Sequence, residues 1–186
     1  MMRIITGTAR GIRLETLEGE TTRPTIERIK EAVFSMIQFD IEDRRVLDLF
    51  AGSGQLGLET LSRGALKAVF VDIDREAGEI IKRNAQKTKL YEKCTVLTTD
   101  YKQYVKNADG KEKFDIIFLD PPYQSDMLDD ALQKIAATDI LHDNGIIICE
   151  SDRAEPLSAE GMELFKHARY GKIYITILRK PVTEGE

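Results

Sequence analysis

From Arg45 onward the chain alternates apolar runs of strand length with amphipathic stretches, and that alternation restricts the possible folds more than any single motif does. The apolar runs fall at 45–50, 68–71, 95–98, 114–119 and 146–149. Between them, 56–62, 75–88, 101–107 and 126–137 repeat apolar residues at helical spacing, as in Ala77, Ile80, Ile81 and Ala85. Strands that are apolar throughout and separated by helices are buried on both faces, which is the mark of a parallel sheet covered on each side. Gly64, Gly110, Asn144-Gly145 and Gly171 punctuate the turns. The end breaks the pattern: 164–170 and 172–180 are strands joined at Gly171 with no room for a crossover helix, so they pair antiparallel. Ahead of the alternation, 2–6 and 12–17 flank Gly7 and Gly11 and predict a short β-hairpin. Residues 25–37 predict a helix with Ile26, Ile29, Ala32, Val33, Met36 and Ile37 on one face, Thr22 or Thr25 as its cap and Pro24 near its start. The expected fold is α/β and Rossmann-like, a mostly parallel seven-stranded sheet with an antiparallel last strand. It forms one domain, with residues 1–40 as a hairpin and helix extension and 41–186 as the catalytic core.

A chain of 186 residues can bury such a core without disulfides or metals. Its longest apolar runs are too short to cross a bilayer, and no apolar targeting segment opens the sequence, so a cytoplasmic protein without a membrane partner is expected. Cys94 and Cys149 are isolated within apolar segments, and His142 and His167 have no partner at a metal or triad spacing. Chemistry here therefore proceeds without a Cys or His nucleophile and without a metal. The formal net charge of −5 argues against a protein that coats nucleic acid generally. The charge is uneven, however. Residues 1–14 hold Arg3, Arg10 and Arg13 and no acid, with Arg23 and Arg28 close behind. Such a cluster is either a solvated face or an arm that contacts phosphates.

The first parallel strand runs into Asp48-Leu49-Phe50-Ala51-Gly52-Ser53-Gly54-Gln55-Leu56-Gly57. Glycines at these places allow a tight turn and the close approach of a ligand to the backbone before a helix begins. By itself G-x-G-x-x-G is a weak signal shared with dinucleotide sites. Asp48 would repel a pyrophosphate but favour the ammonium group of a methionine moiety. Asp72 ends the next strand and can accept both hydroxyls of a ribose, which fits either a nicotinamide dinucleotide or S-adenosyl-L-methionine; Asp48 favours the latter. Asp100 follows the third strand, where it can accept an adenine amino group or cap the next helix. Phe50, Ala51, Gly52, Ser53 and Gly54, with Ile73 beside Asp72 and Tyr101 beside Asp100, complete the expected cofactor site.

The fourth strand ends in Asp120-Pro121-Pro122-Tyr123. Two prolines fix φ and remove two N–H donors, giving a rigid turn with outward carbonyls. Asp120 and the Pro121 carbonyl can then accept both hydrogens of a planar exocyclic amine, favouring its pyramidal, attacking form and stabilising the charge that develops. Tyr123 offers a face on which an extruded base can stack, worth ~1–3 kcal/mol. Methyl transfer from S-adenosyl-L-methionine, leaving S-adenosyl-L-homocysteine, to a nucleobase amino group is the reaction expected of this pair of motifs.

Taken end to end, Arg3-Ile4-Ile5-Thr6-Gly7, Arg10-Gly11, Thr22-Arg23-Pro24-Thr25, Arg28, the segment 46–54 with Leu56-Gly57 and Glu59, and Leu61-Ser62-Arg63-Gly64-Ala65 resemble the RsmD family of bacterial rRNA methyltransferases. The resemblance implies a class I S-adenosyl-L-methionine-dependent methyltransferase fold and transfer to the N2 of guanine 966 in 16S rRNA. It implies that residues 22–25 lie beside the active site and that the N-terminal hairpin helps bind RNA. The expected partner is 16S rRNA in the small ribosomal subunit or its assembly intermediate, bound by a monomer. Glu27, Asp72 and Tyr123 stand where the family often has Asp, Glu and Phe, preserving charge or aromaticity. Three other readings compete: a DNA adenine-N6 methyltransferase, for which the chain has no room for a separate target-recognition region; an NAD-dependent oxidoreductase domain, which leaves residues 120–123 unexplained; and a non-catalytic assembly factor.

Overall fold

The computed structural model describes residues 2–18, 24–122 and 126–182, so Thr22, Arg23 and Tyr123 lie outside the described residues. The chain divides into two compact units, Met1–Asp100 and Tyr101–Glu186.

The first unit holds helix α1 (Pro24–Met36), strand β1 (Arg45–Asp48), helix α2 (Gln55–Ser62), strand β2 (Lys67–Asp72), helix α3 (Arg75–Lys87) and strand β3 (Cys94–Thr98). Its strands run β3-β2-β1, all parallel, with Val46 beside Ala68 and Val69 beside Thr95. Pro24 is the first residue of α1, where its missing N–H costs nothing and its fixed φ suits the helix. Asp74 caps α3 by accepting from the Glu76 amide at 2.8 Å, with Glu76 in the first turn and Lys87 in the last. Helix α2 packs so closely on β2 that a Cβ at Gly57 would stand 2.3 Å from Phe70 Cε1. Phe34, Ile37, Ile41, Leu47, Leu58, Leu61, Phe70 and Ile81 are buried there.

The predicted N-terminal hairpin takes a reduced form. One antiparallel bridge joins Arg3 and Arg13, flanked by Ile4 N donating to Ile12 O, Gly11 N to Ile4 O and Leu14 N to Met2 O. Two short segments alone cannot sustain a ladder in water. Their stability comes from burial of Met2, Ile4, Ala9 and Leu14.

The second unit holds helix α4 (Tyr101–Ala108), strand β4 (Phe114–Leu119), helix α5 (Met127–Ala136) and strands β5 (Leu141–Ser151), β6 (Glu163–Tyr170) and β7 (Ile173–Arg179). Strand order is β4-β5-β7-β6; β4 and β5 are parallel, while β7 pairs antiparallel with both β5 and β6. The expected count of seven strands, mostly parallel and closed by an antiparallel pair, is observed. One boundary differs. Asn144-Gly145 does not end a turn before β5 but forms an irregularity inside it, where the step from Leu141 to Ile146 faces that from Phe114 to Ile116. Asn144 has φ 61°, which asparagine tolerates better than most residues, and its amide donates to Lys180 O at 2.8 Å. The pairing with the segment after β7 makes a loop-like dipeptide part of the sheet. Among the described residues no helix is long and apolar enough to cross a membrane.

Candidate active site

The candidate cofactor residues of the first unit gather where β1 and β2 end. After Asp48 the chain turns sharply: Gly52 and Gly54 have φ 52° and 78°, and Gly54 N donates to Ala51 O at 2.7 Å. Positive φ is strained for side-chain-bearing residues, which accounts for glycine at both places. Ala51 N donates to Val71 O at 3.0 Å, tying the loop to β2. Gly54 then precedes α2 with no side-chain cap. That duty falls to Asp48, whose Oδ2 accepts from Gly57 N at 3.1 Å. Asp48 is buried behind the loop, and its carboxyl group also closes the first turn of α2.

Asp72 braces the same loop from β2. Its Oδ2 accepts from Gly52 N at 2.8 Å and its Oδ1 from Asp74 N at 2.9 Å. A carboxylate has about four lone-pair sites, so two acceptor positions remain for hydroxyls. Ile73 beside it is 73% exposed, an apolar side chain presented to solvent next to the acid. Phe50 is half-buried, Ala51 is buried, and Ser53 is fully buried with its hydroxyl 3.2 Å from Met2 Sδ. Asp100 is half-buried and immediately precedes α4. Tyr101 is buried, and its hydroxyl donates to Asp130 Oδ2 at 2.8 Å, a bond that fastens α4 to α5. Residues 48–54, 72 and 73 thus come together in the first unit.

The Asp120 turn belongs to the second unit. Asp120 lies just beyond β4 and is half-buried, Pro121 is buried and Pro122 exposed. The strand brings this acid out of a fully apolar run, Ile116 to Leu119, to the strand's carboxyl end. In parallel α/β sheets that end is where ligands bind.

The N-terminal arm is anchored by residues whose roles sequence reasoning missed. Glu59 has no solvent exposure, yet its carboxylate is saturated. Oε2 accepts from Ile5 N at 2.7 Å and Oε1 from Thr6 N at 3.0 Å; Arg63 Nε donates to Oε1 at 2.9 Å, and Lys30 Nζ lies 3.4 Å from Oε2. Burial lowers the Lys30 ammonium pKa, and Glu59 offsets part of that shift. Lys30 also donates to Arg3 O at 2.6 Å. Ser62 adds a hydroxyl that donates to Thr6 O at 2.6 Å and accepts from Ala9 N at 2.9 Å. The backbone comes so close that a Cβ at Gly7 would sit 1.8 Å from Ser62 O. Asn84 completes the anchor. It accepts from Glu15 N at 2.8 Å and donates to Glu15 O and to Ser53 O, at 3.0 and 2.9 Å. The arm is therefore tied directly to the glycine loop. The available signal was the acid at Glu59 among the apolar positions of α2, which periodicity alone does not explain.

Of the arginines expected on this arm, Arg10, Arg13 and Arg28 are exposed and form no ion pair among the described residues. Arg3 is exposed but paired with Glu27 at 2.6 Å. Among the described residues no group of acids, histidines or cysteines could hold a metal. Cys94 and Cys149 are free thiols whose pKa burial pushes up to about 12.

Known proteins are similar to this chain over most of its length. YlbH of Bacillus subtilis (strain 168) is 36% identical over 182 residues, covering 96% of this chain and 99% of that protein. Ribosomal RNA small subunit methyltransferase D of Haemophilus influenzae is 34% identical over 91% of this chain and 89% of its own. The solved structure of yhhF from Escherichia coli superimposes with a TM-score of 0.86 at 28% identity, covering 98% of this chain and 99% of that one. The fold is that of class I S-adenosyl-L-methionine-dependent methyltransferases, a mostly parallel sheet with an antiparallel end. The family described as Conserved hypothetical protein 95 matches residues 2–179, and on these grounds the chain belongs to the RsmD family.

Proposed function

We propose that this protein transfers a methyl group from S-adenosyl-L-methionine to ribosomal RNA, and that the acceptor is the exocyclic N2 of guanine 966 in 16S rRNA. The observation that carries the reading is the presence in one chain of the Asp72-braced glycine loop and of Asp120-Pro121-Pro122 at the end of β4. Relatives named ribosomal RNA small subunit methyltransferase D, in Haemophilus influenzae and Escherichia coli, support ribosomal RNA as the substrate class.

The loop fits S-adenosyl-L-methionine on its own chemistry. Asp72 keeps acceptor capacity for two ribose hydroxyls, Ile73 offers apolar surface to an adenine, and an ionised Asp48 would suit an ammonium and repel a pyrophosphate. Asp100 is assigned to the adenine amino group. The bound cofactor supplies a methyl group on a sulfonium, an electrophile that needs no metal.

Asp120 and the Pro121 carbonyl hold the two N–H bonds of the guanine amine. Its lone pair is delocalised into the ring, and two acceptors draw it toward the pyramidal form while offsetting the positive charge that grows on nitrogen. Fixed φ at Pro121 and Pro122 keeps these acceptors in place before the base arrives, so positioning supplies most of the rate. Tyr123 is assigned to stacking against the extruded base, which offsets the few kcal/mol spent on unstacking it. Arg10, Arg13, Arg23 and Arg28 hold the RNA backbone, with Arg3 a contributor once it leaves Glu27. The substrate is the small subunit or its assembly intermediate, and the enzyme acts as a monomer.

The test is transfer of labelled methyl from S-adenosyl-L-methionine to small subunits lacking the modification, with mass mapping of the product. N2-methylguanine at the expected nucleotide supports the whole reading. Methyl transfer to DNA and none to ribosomal RNA would replace it with adenine methylation.

A further inference from the structure

The C-terminal hairpin has a surface that the cofactor loop, the Asp120 turn and the N-terminal arm do not use. Strands β6 and β7 and the residue after them carry Lys166, Arg169, Lys172, Arg179 and Lys180 against one acid, Glu163. The whole chain nets −5, so this positive segment stands against a remainder more acidic still. Lys180 is consumed locally, donating to Leu141 O and lying 3.4 Å from Asp143 and 3.7 Å from Asp139. Lys166, Arg169 and Lys172 are exposed and form no ion pair among the described residues.

Aromatic rings are interleaved with these cations. Phe165 is 40% exposed, with the Arg179 guanidinium 3.8 Å from its ring centroid and Lys166 Nζ at 5.9 Å. Arg169 lies 5.7 Å from the Tyr174 ring, which itself stacks on His167 at 5.7 Å and 10°. Leu164 beside Phe165 is half exposed. The strand bearing most of these groups, β6, is the edge of its sheet. A lysine or two would suffice to guard an edge strand against pairing. Several cations along an edge that also presents an exposed ring are instead what single-stranded nucleic acid needs, since phosphates take the charges and a base takes the ring.

We infer that the edge of the β6–β7 hairpin is a second RNA-binding surface, taking an unpaired stretch of the substrate RNA along β6, with Lys166 on one face of the strand, Arg169 on the other and Lys172 in the turn, all on phosphates, and Phe165 on a base. The inference rests on the proposed rRNA substrate, and it places part of RNA recognition in the second unit as well as in the arm.

The experiment compares the wild-type protein with K166E/R169E and with Phe165→Ser, measuring affinity for a small-subunit rRNA fragment across a salt series. S-adenosyl-L-homocysteine affinity and melting temperature are measured alongside. The double charge reversal is expected to weaken RNA binding about 10- to 100-fold and to reduce the slope of log K against log salt by about 1.5, at ~0.7–0.9 for each phosphate no longer neutralised. Phe165→Ser is expected to weaken binding about tenfold with the slope unchanged, and cofactor affinity stays the same in both. Unchanged RNA affinity and slope overturn the inference, including when the variants aggregate, since edge protection is then the hairpin's role. A defect seen with assembled particles and not with naked RNA also overturns it in favour of protein docking. If the wild type methylates rRNA while the variants bind normally, the hairpin assignment falls alone; if the wild type neither binds nor methylates rRNA, both fall.

Discussion

Asp72 and Asp120 are each an acid at or just beyond the end of an apolar strand, but the proposed function gives them different partners. Asp72 already accepts from Gly52 N and Asp74 N, so it shapes the loop whether or not a ligand is present. Asp72→Ala is expected to abolish S-adenosyl-L-homocysteine binding by calorimetry, because it removes both the proposed ribose acceptor and the brace beneath Gly52. Asp120 is proposed to act on the acceptor side of the reaction. Asp120→Ala should leave cofactor affinity intact and lower kcat on the order of 10²–10³-fold or more, the scale seen when one preorganised polar group facing a transition state is removed. Retained turnover would remove its assigned role. The two thiols give a pH prediction. Burial raises Cys149 from 9.0 to about 12, so the folded protein holds that proton more tightly than the unfolded chain does. The associated stability is complete below pH 9 and is lost as pH rises toward 12. Thermal melts should show a fall over that window that is shallower in Cys149→Ala, and a thiol reagent at about pH 8 should label the native protein far more slowly than the unfolded one.

At the scale of elements, α2 does two jobs at once. Its first turn is closed by Asp48 and opens from the glycine loop, while its second half, through Glu59 and Ser62, receives the N-terminal arm, and Arg63 just beyond it pairs with Glu59. Phe34 of α1 joins this junction, with the Arg63 guanidinium 4.6 Å from its ring. Glu59→Gln keeps the volume but turns one acceptor oxygen into a donor facing a backbone N–H or a cation. Hydrogen exchange at Ile5 and Thr6 should accelerate, and KM for RNA should rise more than the dissociation constant for cofactor. Equal exchange in the two proteins would mean that other contacts hold the arm. Gly57 is required for a different reason, since a methyl group there meets Phe70 at 2.3 Å. Gly57→Ala is expected to cost about 1–3 kcal/mol, visible as a lower melting temperature, because α2 or β2 must shift to admit it.

For the whole molecule, an acidic chain that binds RNA must do so through local patches, because its net field opposes approach. If Arg10, Arg13 and Arg28 of the arm and Lys166, Arg169 and Lys172 of the hairpin each meet a phosphate, the slope of log K against log salt should be about −4 to −5. A slope near zero in that titration would contradict phosphate-driven binding. Much of this architecture was legible in the sequence. The period of the apolar residues set the order of strands and helices, because strands buried on both faces admit little else. Glycines with positive φ and a proline at the start of α1 marked the loop and a helix boundary, because those conformations depend on the residue itself. That Asp48, Asp72 and Asp120 stand at or just beyond strand ends was also legible, since it follows from their position relative to the apolar runs. What the sequence could not show is which polar side chains satisfy backbone groups far away along the chain. Glu59 meets Ile5 and Thr6 from 54 and 53 residues off, and Asn84 meets Glu15 from 69. Asn144-Gly145 reads locally as a turn and becomes part of β5 only because Lys180 pairs with it. Local conformation follows from each residue's own sterics and period, whereas the partners of a buried polar group exist only once the chain has brought distant segments together.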